Sequence, residues 1–216
     1  MDEGSDNQMT TSSVAEAVAD APHRRRGAAL EDAILEAAYA ELSEAGYGNF
    51  SVEGVATRAR TGKASIYRRW PTKQVLVLDA LSARLPTPED CGIDAVIPDH
   101  VTTVDALRRV ARTINRVINS AAGNAMRAIK CEAVTDPELA RAIDERFQAP
   151  RRAAMVALLE RGVQRGEVRP GAVTPLIADV LPAVLMHRVL LQREPVTERV
   201  ITAIIDQVIV PLIEPR

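Results

Sequence analysis

The sequence predicts an all-α protein of about nine helices. Beyond residue 28, apolar residues recur at intervals of three and four, the period of helices with one buried face. No segment alternates apolar and polar residues strictly enough to read as a strand. Hydrophobic residues make up 47% of the 216 and aromatics only 3%, so the core must be aliphatic and stacking platforms for single-stranded nucleic acid are not expected.

Residues 1–23 hold five acids and no Lys or Arg, and they are too polar to offset the entropy of ordering. An acidic, disordered tail is expected there, without the apolar run of a signal peptide. His23-Arg24-Arg25-Arg26 forms a basic arm. Leu30, Ile34, Ala38, Leu42 and Ala45 mark the first helix, ended by Gly46 and Gly48. Ser51 suits the N-cap of a second helix, Val52 to about Ala59, with Val55 and Ala56 inward. Arg60-Thr61-Gly62 is a short turn. A third helix runs from Lys63 to about Arg69 with Ile66 inward, and a fourth, capped by Thr72, runs to Leu85 before Pro86 and Pro88.

After a proline-containing loop over 86–100, Val104, Leu107, Val110, Ile114, Val117 and Ile118 make one stripe of a fifth helix. A sixth is expected over about 124–134. Asp136-Pro137 and Thr174-Pro175 are a cap followed by Pro at the first helical position. The helix from Pro137 should reach about Arg165, bend at Pro150 and close at Gly166; the one from Pro175 should reach about Gln192 with a bend at Pro182. The last segment, 197–213, is rich in β-branched residues, but its four-residue repeat favours helix over strand.

The net charge of −2 hides an asymmetry. Within 51–73 there are six basic residues, Arg58, Arg60, Lys63, Arg68, Arg69 and Lys73, against one acid, Glu53. This is a compact electropositive footprint in an otherwise neutral protein. It coincides with two helices of under ten residues joined by a Gly-containing turn, the proportions of a helix-turn-helix.

The run Phe50-Ser51-Val52-Glu53-Gly54-Val55-Ala56-Thr57-Arg58-Ala59, followed by Lys63-Ala64-Ser65-Ile66-Tyr67-Arg68-Arg69-Trp70-Pro71-Thr72-Lys73, resembles the DNA-binding domain of the TetR family of transcriptional repressors. The resemblance covers about residues 28–85. It implies a DNA-binding domain over 24–71 and a helical ligand-binding and dimerisation domain over 72–216. One departure matters: Arg60 stands where the family usually has Gly, so it must take a turn conformation that Gly adopts more easily.

Lys63, Ala64 and Ser65, in the first turn of the third helix, suit contacts with base edges in the major groove. By resemblance Tyr67 reaches a phosphate. Lys73, and the backbone N–H groups at Ser51 and Val52, suit phosphate as well. Arg68 and Arg69 add phosphate or base contacts, and Arg60 and Thr61 of the turn complete the candidate set. Trp70 reads as packing.

The last two helices are apolar on more than one face, which a homodimer through those helices would bury. The expected partner is then double-stranded DNA carrying a palindromic operator, with half-sites about 34–36 Å apart. The resemblance also implies a small-molecule effector held among the middle helices, whose binding moves the DNA domains apart through the fourth helix. Asn115, Asn119, Met126, Cys131, Phe147, Met155 and His187 are the candidate ligand-binding residues, with Met186 beside them. Cys131 otherwise reads as a small buried hydrophobe, and His187 as a hydrogen-bonded core or interface residue.

Three His and two Cys, Cys91 and Cys131, show no metal spacing and no disulfide framework. Phosphate loops, Gly-x-Ser-x-Gly and dinucleotide fingerprints are absent from the sequence, so no catalytic residue, metal or cofactor is expected. The functional expectation is a cytoplasmic, ligand-responsive repressor with no membrane association. The alternative is a protein-interaction scaffold derived from the helix-turn-helix fold that has lost DNA binding.

Overall fold

A computed structural model describes residues 11–90, 100–189 and 196–215, with side chains from Gly27 onward. The described elements are helical throughout, and no strand occurs among the described residues. The chain divides into two compact units. One comprises the residues up to Ala45 together with Asn49–Ala80; the other comprises Gly46–Gly48 and the chain from Leu81 onward. The division falls inside the fourth helix, later than the 71/72 boundary that the sequence suggested.

In the first unit, α1 (Thr11–Asn49) is interrupted at Gly46, whose φ of 71° ends the regular helix where the sequence places it. Helical backbone from Thr11 replaces the disorder expected for residues 11–23. That stretch is rich in Ala, the best helix former, and extending an existing helix requires no new nucleus. Residues 1–10 of the acidic tail and the side chains of Arg24–Arg26 lie outside what is described. α2 (Val52–Arg58), α3 (Lys63–Tyr67) and α4 (Lys73–Ser82) follow. Ile34, Leu42, Val55, Ile66, Leu76 and Val77 are buried in this unit, an aliphatic core as the composition requires. Thr72 Oγ1 caps α4 by accepting from Val75 N at 3.2 Å.

The second unit contains α5 (Thr103–Ile118), α6 (Ala121–Ala133), α7 (Pro137–Ile143) and α8 (Ala149–Gln164). α9 (Pro175–His187), α10 (Glu198–Ile204) and α11 (Val210–Ile213) complete it. α7 continues into α8 through a π turn, Asp144–Gln148, and α10 into α11 through another, Ile205–Ile209. Taken as continuous rods, the described helices number nine.

A proline follows each of these two π turns. Proline lacks an N–H, and its ring clashes with the carbonyl four residues back. For Pro150 and Pro211 those residues are Arg146 and Gln207, and each lies inside a widened turn. The bend expected at Pro150 is thus a π turn just before it. Each of Thr102, Ser120, Asp136, Thr174 and Thr197 accepts from the backbone N–H three residues on. Ser120 starts α6 three residues earlier than the sequence suggested. One cluster of the core holds Leu107, Val110, Leu158, Leu181, Leu185 and Ile201, all almost fully buried.

One polar contact anchors the start of α5 inside this core. Thr103 is completely buried, and its backbone N–H donates to Glu167 Oε2 at 2.6 Å. Arg165 Nη2 donates to the same carboxylate oxygen at 3.0 Å and to Thr103 Oγ1 at 3.2 Å. Glu167 thus places negative charge at a helix N-terminus and satisfies a donor that the helix leaves unpaired. Burial alone would raise its carboxyl pKa, but the hydrogen bonds at Thr103 and the Arg165 guanidinium outweigh that and hold it below the ordinary value.

A carboxyl lowered on folding contributes stability above its unfolded pKa of about 4.3 and loses that contribution as pH falls through the folded value. Glu167→Gln should therefore cost about 1.5–3 kcal/mol at pH 7. The gap from wild type should narrow below pH 4 in chemical denaturation. A gap independent of pH would show that the charge at Glu167 does not matter.

Candidate functional site

The turn between α2 and α3 sets the geometry of the first candidate site. Thr61 N donates to Ala56 O at 3.0 Å, and Arg60 N to Thr57 O at 3.3 Å. These two bonds are a Schellman closure, which needs a left-handed residue just past the helix end. Arg60 supplies it, with φ 51°. The chain builds the same closure after α8: Glu167 N donates to Gly162 O at 2.9 Å and Gly166 N to Val163 O at 3.0 Å, with Gly166 at φ 74°. Glycine fills that position without steric cost; Arg60 fills it under strain.

α3 is only five residues long and is capped by Gly62 without a side-chain bond. A helix this short does not persist alone. It is held from below: Ile66 is fully buried, Trp70 is 3% exposed, and Trp70 Nε1 donates to Asp79 Oδ2 of α4 at 2.8 Å. Trp70 is therefore packing, as its sequence context suggests. At α2, Ser51 Oγ accepts from Gly54 N at 3.0 Å and donates to Glu41 Oε1 at 3.3 Å. A Cβ on Gly54 would strike the Glu41 carboxylate as placed, so a larger residue there would displace Glu41 from Ser51 and Arg58.

The opposite face of α3 presents Lys63, Ala64, Tyr67 and Arg68 to solvent, with Tyr67 47% exposed. The six cations of the footprint are not equivalent. Arg58 is turned to α1, where its Nε donates to Glu41 Oε2 at 3.0 Å and its Nη2 pairs with Glu44. Lys63 Nζ contacts Glu53 Oε1 at 2.5 Å. That hydrogen bond lowers the Glu53 carboxyl and raises the Lys63 ammonium from their ordinary values. Both groups are exposed, and pairs of this kind hold weakly. Lys73 lies over the Phe50 ring, 5.8 Å from its centroid. Arg60 and Arg68 are exposed and make no ion pair among the described residues.

Arg69 folds back along α3, its Nη1 donating to Ser65 O at 3.0 Å and to Ser65 Oγ at 3.1 Å. The Ser65 hydroxyl thus has an acceptor lone pair filled and its own proton left to donate, which directs it toward acceptor groups. Val52 is buried, so only its backbone could meet a phosphate. Thr61 is half-buried in the turn. The sequence missed that Arg58 and Lys63 are partly neutralised, because Glu41 and Glu44 lie a helix away and Glu53 ten positions before Lys63.

A second candidate site is a cavity of about 430 Å³ in the second unit. Met126, Phe147 and Met155 line it, together with Met186. Asn115, Asn119, Cys131 and His187 do not. Asn115 Nδ2 donates to Val196 O at 2.8 Å, and Asn119 Nδ2 to Asn115 O at 2.7 Å, so both amides serve the backbone. Cys131 is exposed rather than buried: α6 turns Met126 and Ile129 inward, and Cys131 lies off that face. His187 is exposed at the end of α9, one residue past the lining Met186. The sequence reading overlooked the cationic lining residues, Arg127, Lys130, Arg151 and Arg152, because basic residues on helices read as solvated. Among the described residues, no group of three His, Cys, Asp or Glu could hold a metal ion.

Comparison with known proteins bears on both sites. Residues 34–80 match the family model described as bacterial regulatory proteins, tetR family, and residues 97–208 match the tetracyclin repressor-like C-terminal domain. An HTH-type transcriptional regulator of Mycobacterium tuberculosis is 34% identical over 170 residues, 79% of this chain and 81% of that protein. A DNA-binding transcriptional repressor TetR of Mycobacteroides abscessus is 32% identical over 192 residues, 88% of this chain and 97% of that one. Among solved structures, a TetR-family regulator from Mesorhizobium loti shares the fold with a TM-score of 0.70 at 20% identity, covering 88% of this chain and 99% of its own.

The strained turn gives a direct test. Arg60→Gly should raise stability by about 0.5–1 kcal/mol in chemical denaturation, since glycine takes the left-handed conformation freely. An unchanged or lower stability would mean that Arg60 makes a compensating contact.

Proposed function

The chain belongs to the TetR family of bacterial transcriptional regulators, DNA-binding proteins of the helix-turn-helix type, and from that premise we propose that it is a homodimeric repressor released from a palindromic operator by a small-molecule effector. The observation that carries the reading is the solvent face of α3. A short helix is locked from below by Ile66 and Trp70 and offers Lys63, Ala64 and Tyr67 outward. The Lys63 ammonium and the remaining Ser65 proton are donors for guanine O6 and N7, and the Ala64 methyl fits a thymine methyl. Tyr67 and Lys73 suit phosphate oxygens, which position the protein without reading sequence.

Two features support dimerisation and effector response. α9 leaves Leu176 78% exposed, with Ile177, Val180 and Val184 only partly buried, an apolar face that a second copy would cover. The cavity has apolar walls and a few polar groups, the composition of a small-molecule site. Its lining residues Leu85 and Pro86 follow closely on α4, whose first residues belong to the DNA-binding unit. An effector acts on DNA affinity only by favouring one arrangement of the dimer over another. No helix among the described residues is long and apolar enough to cross a membrane; the proposed DNA partner is the reason for a cytoplasmic reading.

Duplexes selected from random oligonucleotides should converge on a palindrome. In gel-shift titrations Lys63→Ala should weaken binding by about 1–3 kcal/mol per half-site and relax sequence preference. Lys73→Ala should weaken all sequences alike and reduce the salt slope by about one per subunit. Glu53→Gln should tighten binding severalfold at low salt, because Lys63 no longer has to leave a carboxylate. Full retention of binding in Lys63→Ala combined with Tyr67→Ala would contradict the role of α3.

A further inference from the structure

The cavity of the second unit carries a charge imbalance. Arg127, Lys130, Arg151 and Arg152 line it, with one acid, Asp179. That acid is committed: Arg152 Nε donates to both Asp179 oxygens, at 3.0 and 2.9 Å, and Arg152 Nη2 reaches Asp144 Oδ1 at 3.3 Å. Arg151 is built into the wall, donating to the carbonyls of Phe147 and Pro86 at 2.8 Å each and lying over the Phe147 ring.

The other two cations have no counter-charge among the described residues. Arg127 has neutral partners, the Ile118 carbonyl at 2.6 Å and the side-chain oxygen of Asn124. Lys130, one of only three lysines in the chain, makes no hydrogen bond or ion pair among the described residues. Arg127 and Lys130 stand three residues apart on α6 and so share one side of it. Burial, and then the Arg151 guanidinium, push the Lys130 ammonium below the ordinary lysine range. A half-buried charge that has lost water and gained no partner is destabilising, and an anion brought in from outside would offset that loss.

We infer that the cavity binds an amphipathic anion, an apolar body ending in a single carboxylate that sits against Lys130 and Arg127. Ile114, Val117, Met126, Phe147 and Met155 receive the body. A carboxylate has two acceptor oxygens for the two cationic donors. A cationic ligand of the same shape meets like charge and a neutral one leaves Lys130 unpaired, so both bind less well. This assignment rests on the effector-responsive reading, since it names the chemical class of the effector.

The test is calorimetric titration of the full-length protein with three head groups on hexyl and decyl chains: carboxylate, alcohol and trimethylammonium. At pH 7 one of the carboxylates should bind at least about tenfold tighter than the matching alcohol, with no binding of the ammonium compounds. Lys130→Met, which keeps length and removes the charge, should abolish that preference and leave alcohol affinity unchanged. Arg127→Gln should reduce the preference in the same direction. Unchanged operator affinity of the ligand-free variants shows that they fold. The inference is overturned if alcohols bind as well as carboxylates, if Lys130→Met keeps the preference, or if no compound of the series binds. Failure of the wild type to shift any selected duplex contradicts the regulator reading instead, so the two failures are distinguishable.

Discussion

A helix of five residues cannot hold its own shape, and the surface proposed to meet DNA is built on one. Its order is supplied from outside: Ile66 and Trp70 buried beneath it, the indole bonded to Asp79, and a Schellman turn fixing its entry. The rest of the first unit supports that arrangement. Gly54 lets α2 close on Glu41, and Glu41 holds both Ser51 and Arg58. Of the residues that face solvent on α3, Ala64 and Tyr67 take no part in that support, and Lys63 is tied only to the exposed Glu53 carboxylate.

Electrostatics refine that picture. The basic footprint of 51–73 looks uniform in sequence, yet the fold divides its charge among different tasks. Arg58 ties α2 to α1, Arg69 orients the Ser65 hydroxyl, and Lys63 is held by Glu53. Arg60 and Arg68 remain as exposed positive charge. In the second unit the opposite holds: cations that would be ordinary on a surface line an apolar cavity, where partial burial weakens the screening of Lys130.

Much of this was legible in the sequence. The caps Ser51, Thr72, Asp136 and Thr174 and the closing glycines Gly46 and Gly166 mark helix ends through local chemistry, which sequence displays directly. The strained conformation of Arg60 follows from the same logic. The α-helical extension to Thr11 was not legible because acidic, polar composition signals disorder even where Ala favours helix. The cavity was half legible. Met126, Phe147 and Met155 stand out chemically, whereas Arg127 and Lys130 look like solvated charges until α8 and α9 are placed beside them. Asn115 and Asn119 misled in the converse way, since polar side chains on an apolar helix can serve a nearby carbonyl as well as a ligand.

On the proposed function, two copies of α3 enter the duplex together from a twofold dimer. Hydroxyl-radical footprinting on a selected duplex addresses it most directly. A twofold dimer should leave two protected patches on the same face of the duplex, related by symmetry and separated by about one helical turn or a small multiple of it. A single patch, or protection without twofold symmetry, would contradict it.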